Sequence, residues 1–116
     1  MKNRLINSVA ALAAAIVSLS AMPGTARAEA DAEAAKDLAK ESKCTTCHSV
    51  NKKKDGPPYK ETAEKYRGQA DAVDKLYKHL TSNPTVEVKG KEEQHKSPKT
   101  DDEAEIRNLI TWILEQ

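Results

Sequence analysis

Cys44, Cys47 and His48 stand in the order C-x-x-C-H, with Thr45 and Thr46 between the two thiols. The chain has no other cysteine. This pattern reads as the attachment site of a c-type haem, in which both thiols bond covalently to the macrocycle and the adjacent imidazole reaches the iron. The spacing follows from rigidity, since two sulfurs and a ring nitrogen must meet one flat body from a single turn of chain. A C-x-x-C pair is also redox-competent by itself. Thiol–disulfide exchange of the thioredoxin kind, however, sits in a βαβ context that the surrounding pattern lacks. Structural zinc is a poor fit, because the ligands missing from Cys44, Cys47 and His48 would have to come from His79 or His95. The chain is read as a binding and redox protein and not as an enzyme.

The elements that must position this turn read as helices. Residues 29–43 are alanine-rich with spaced charges, and Ala34, Ala35, Leu38 and Ala39 form a narrow stripe of small residues. That helix is expected to run into the Cys44–His48 turn. Lys52-Lys53-Lys54-Asp55 and Gly56-Pro57-Pro58 read as loop. Tyr59, Ala63 and Tyr66 mark a second helix that Gly68 ends. Val73, Leu76, Tyr77 and Leu80 mark a third, stopped by Asn83-Pro84. Residues 85–99 show no helical period and read as an irregular loop. Thr100-Asp101-Asp102-Glu103 reads as a capping box for the last helix, whose stripe is Ile106, Leu109, Ile110 and Ile113, flanked by Trp112. The sum is an all-α domain of four helices without a sheet, in which the first and last helices cross and pack.

Composition asks for a cofactor as strongly as the motif does. The 116 residues contain no Phe, one Trp and three Tyr, and a small domain this poor in large apolar groups usually needs a staple. Lys2 and Arg4, the apolar run from Leu5 to Ala21, and Ala26-Arg27-Ala28 fit a secretory signal peptide. The organisation is thus a signal peptide over 1–28 and one domain over 29–116, with cleavage after Ala30 the near alternative. Removing Lys2, Arg4 and Arg27 leaves 16 basic against 18 acidic side chains, a net charge of −2. No basic face for nucleic acid is evident, and no membrane span remains once the signal is removed.

These residues resemble the small bacterial class I cytochromes c. Cys44 to His48, Gly56-Pro57-Pro58-Tyr59-Lys60, the Ala63-to-Tyr66 helix and the Thr100-to-Trp112 helix match that family in order and approximate spacing. The resemblance implies a cytochrome c-like fold, one haem c bonded through Cys44 and Cys47, and His48 as the proximal ligand. It also implies that the Pro57 carbonyl accepts a hydrogen bond from the far nitrogen of His48, and that Tyr59 and Trp112 pack at the haem edge or near a propionate. The expected location is the periplasm, and the expected state a monomer serving protein redox partners.

One departure is sharp. The family keeps a distal Met shortly before its last helix, whereas the methionines here are Met1 and Met22, both in the signal peptide. Gln94-His95-Lys96-Ser97-Pro98 occupies that stretch. His95 is therefore the leading sixth ligand, giving bis-histidine ligation. The alternatives are an open or water-held site, His79, or a lysine such as Lys91 or Lys96. His79, between Lys78 and Leu80, is expected to face solvent. Axial methionine raises haem potential, so a low-potential one-electron carrier is expected, below the hydrogen reference. Acid should compete with iron for His95, turning the haem high-spin. The rival function is a haem that binds or senses nitric oxide, carbon monoxide or oxygen at a dissociable site.

Overall fold

The computed structural model describes residues 29–116; the signal peptide read over 1–28 lies outside them. Four helices appear among the described residues: α1 (Ala32–Glu41), α2 (Tyr59–Tyr66), α3 (Ala72–Thr81) and α4 (Glu103–Leu114). Asp31 caps α1, accepting a hydrogen bond from Ala34 N at 3.0 Å. The helix is shorter than its alanine content predicts. Ser42 closes it, and Lys43 then turns left-handed at φ 58°. The cysteines therefore follow the helix on a separate 3-10 turn, Cys44–Thr46.

α4 is the hub and touches each of the other three helices. One side of it packs Leu109, Trp112 and Ile113 against Ala35, Leu38, Ala39 and Tyr59. Its other side packs Ile106 and Ile110 against Leu76, with Val73 and Tyr77 alongside. Ala35 and Ala39, at 0% and 2% exposure, let α1 approach α4 closely, because a methyl group is all that separates the backbones there. Ala34, by contrast, is exposed. The capping of α4 also differs in detail from expectation. Asp102 is the cap, accepting from Ala104 N and Glu105 N at 2.8 and 3.3 Å. Thr100 pairs with Glu105, while Glu103 holds Arg107 at 2.7 Å.

The expectation of no sheet is corrected. Residues 85–94 form an antiparallel hairpin of β1 (Thr85–Val88) and β2 (Lys91–Gln94), in register Thr85 to Gln94 and Val88 to Lys91. Lys89 and Gly90 make the turn with φ of 52° and 75°. Positive φ at both central positions matches the right-handed twist of the strands. Every residue of β2 is exposed, so the strand exists for its ladder and not for a buried face. Among the described residues, no helix is long and apolar enough to cross a membrane.

Candidate haem site

The 3-10 turn stacks Cys44, Cys47 and His48 onto one short piece of backbone, closed by a bond from His48 N to Cys44 O of 2.9 Å. Both thiols are half-buried and unpaired with each other. Burial pushes the Cys44 thiol up from its ordinary value, with its backbone hydrogen bond opposing and the neighbouring Cys47 adding. It is thus held as a neutral thiol.

The loop after the turn folds back beneath His48. Gly56 N donates to Cys47 O at 2.8 Å, Tyr59 N to Ser49 O at 2.9 Å and Lys60 N to Val50 O at 3.1 Å. These bonds bring the Pro57 carbonyl 2.8 Å from His48 Nδ1. A ring nitrogen that donates there fixes the tautomer and leaves Nε2 as the free lone pair. Gly56 lies against the flat of the same ring. A Cβ at Gly56 would stand 2.8 Å from Nδ1 and 3.0 Å from Nε2. Tyr59 stacks on His48 with centroids 5.5 Å apart and planes 19° apart, and Trp112 meets Tyr59 edge-on at 5.5 Å. Both aromatics therefore back the imidazole from the helical core. Burial drives the Tyr59 phenol well above its usual range.

His95 comes to the same place from the other end of the chain. Its ring centroid is 6.1 Å from that of His48, with the planes inclined at 50°. Its Nδ1 is buried and has no hydrogen-bond partner among the described residues. Burial first, then His79 and His48, lower its pKa below the ordinary imidazole value, so it is held neutral, the form that binds metals.

His79 is exposed, yet it does not point away from the site as expected. Its ring lies 4.7 Å from that of His95, at 57°. Helical spacing from Leu76 and Leu80 gave no sign of this, because the contact depends on the path of the hairpin. Lys91 and Lys96 are both exposed. Among the described residues, no three His, Cys, Asp or Glu side chains are gathered to hold a bare metal ion.

A planar macrocycle carrying its own iron fits what is present. Two unpaired thiols sit one turn apart, an imidazole is seated against a glycine that leaves no room for a side chain, and a second imidazole with an orphaned nitrogen faces it. Comparison with known proteins agrees. The family model described as Cytochrome c matches residues 32–116. Cytochrome c-551 of Allochromatium vinosum is 40% identical over 79 residues, covering 66% of this chain and 80% of that protein. Cytochrome c-552 of Hydrogenobacter thermophilus is 39% identical, covering 66% of this chain and 76% of that protein. Among solved structures, the class 1 cytochrome MtoD from Sideroxydans lithotrophicus ES-1 superposes with a TM-score of 0.71 at 49% identity. That match covers 74% of this chain and 96% of that one. Family, fold and the two free thiols lead to one conclusion: this chain belongs to the cytochrome c family and carries a single haem c bonded to Cys44 and Cys47.

Proposed function

We propose that the protein is a periplasmic one-electron carrier whose haem iron is held by His48 on one side and His95 on the other, at low potential. The observation that carries the axial assignment is the 6.1 Å between the two ring centroids. Imidazole nitrogen binds a metal at about 2.0–2.1 Å, so two imidazoles sharing one metal ion need centroids about 6 Å apart. Bound there, haem supplies reversible exchange of one electron between ferric and ferrous iron. The chain's own work is to hold both imidazoles aimed at one another and to keep His95 neutral by burial. Pro57 O holds Nδ1 of His48, while Tyr59 and Trp112 close the space behind it. With neutral histidine in place of the sulfur ligand, ferric iron gains relative to ferrous and the potential falls.

Absorption and EPR spectra of single variants test the ligand. His79→Ala should leave a low-spin ferric haem like the parent's, whereas His95→Ala should lose that spectrum. The opposite pattern, with His79→Ala altered and His95→Ala unchanged, overturns the assignment. A gas-binding role predicts rapid carbon monoxide binding by the ferrous protein; the carrier reading predicts slow binding.

Removal of a signal over 1–28 would place the domain in the periplasm, where protein partners dock. Lys52, Lys53 and Lys54 are exposed beside the haem turn, but Lys54 Nζ is engaged by Thr45 O at 2.6 Å. Docking charge therefore rests on Lys52 and Lys53. Replacing both with Ala should flatten the salt dependence of electron transfer to an acidic partner, and Lys54→Ala should flatten it less. Equal slopes in all three proteins would remove the loop from the docking surface.

A further inference from the structure

His95 belongs to no helix, and its buried Nδ1 has no hydrogen-bond partner among the described residues. Its position is inherited from its backbone. His95 N donates to Pro84 O at 2.8 Å, and His95 O accepts from Asn83 Nδ2 at 2.9 Å. The same amide nitrogen donates to Ser97 Oγ at 3.0 Å. Two consecutive residues thus hold both main-chain polar groups of His95 across the base of the hairpin. Asn83 does so from φ 49°, a left-handed conformation that asparagine tolerates better than most residues.

The other anchors of this segment act farther off. Ser42 Oγ accepts from Lys99 N at 2.8 Å, four residues beyond the histidine. At the hairpin tip, Lys89 reaches Asp55 at 3.4 Å, with the lysine 74% exposed, and such a surface pair holds little. Among the described residues, Asn83 is the one side chain bonded directly to the main chain of His95.

We propose that Asn83 is a positioning residue for His95, its amide setting how often the distal imidazole leaves the iron and so how well the haem resists outside ligands. This rests on the reading of His95 as the sixth ligand. An outside ligand enters only when His95 is away. A typical hydrogen bond contributes about 0.5–1.5 kcal/mol net, so losing this one should raise the open fraction about two- to tenfold.

The test is carbon monoxide binding to the ferrous holoprotein, alongside hydrogen exchange at the His95 amide. Asn83→Gly keeps the left-handed backbone and removes the amide. It should bind carbon monoxide and exchange the His95 N–H about two- to tenfold faster, while the resting ferric spectrum stays low-spin. Ser97→Ala, which spares the bond to His95 O, should match the parent. Should Asn83→Gly lose helix content, Asn83→Asp replaces it, since it keeps the size and sets an acceptor against the His95 carbonyl. Parental rates in the Asn83 variant, beside fast binding in His95→Ala, overturn the role of Asn83 alone. A His95→Ala protein indistinguishable from the parent in spectrum and rate overturns the ligand assignment, and the proposal with it.

Discussion

Gly56→Ala should disrupt the proximal side of the haem although it adds one methyl group and touches no ligand bond. The new carbon would stand 2.8 Å from His48 Nδ1 and 3.0 Å from Nε2, inside normal contact. Neither partner can yield freely. The ring is held by Pro57 O at 2.8 Å, and the glycine by its bond to Cys47 O at 2.8 Å. Relief requires breaking one of these, and overpacking of this kind costs about 1–3 kcal/mol. Changes that disturb the seating of a metal-bound histidine typically weaken metal binding or activity about 10–100-fold. The expected result is a high-spin component in the ferric spectrum and a Tm lower by about 4–8 °C per kcal/mol lost. Gly68→Ala is the control. Gly68 has φ +78° and open space around it, so its variant should lose stability through backbone strain and keep the parental spectrum. A parental spectrum in Gly56→Ala would show that the ring seats elsewhere once haem is bound.

Leu109→Ala should be the most destabilising substitution away from the haem. Leu109 is 1% exposed and lies where α4 meets Ala35, Leu38, Ala39 and Tyr59. Burying its side chain removes apolar surface from water, and its partners on α1 include alanines that have nothing to extend into the gap. Leucine-to-alanine changes in such places cost about 2–5 kcal/mol, a large share of the 5–15 kcal/mol typical of a whole domain. Thermal unfolding of the holoprotein followed by circular dichroism should show Tm down by about 10 °C or more. A fall of only a degree or two would mean that the covalent haem, and not the α1–α4 contact, dominates stability.

The helices and the attachment turn were legible because both are local. Ile106, Leu109, Ile110 and Ile113 advertise α4 by period alone, and C-x-x-C-H needs no context. The hairpin was not legible. Lys91-Glu92-Glu93-Gln94 is exposed throughout, so no alternation marks it, and only Val86, Val88 and Gly90 hinted at strand and turn. His95 could be singled out by what was missing near it, whereas Asn83 could not. Its part depends on a side-chain bond spanning 12 residues, with an ordinary Asn-Pro stop as its only trace. Gly56 could be quoted as part of a loop, but its contact with the His48 ring exists only in three dimensions.

Asn108 accepts from Asp31 N and donates to Asp31 O, both at 2.9 Å, and Ala30 N reaches Glu115 Oε1 at 3.1 Å. These bonds join residues 77 and 85 apart in the chain. Closing so long a loop carries an entropic cost that later contacts must offset, and non-local pairing of this kind slows folding. The first helix must wait for the last. The end of the chain thereby completes the scaffold that carries Cys44 and Cys47.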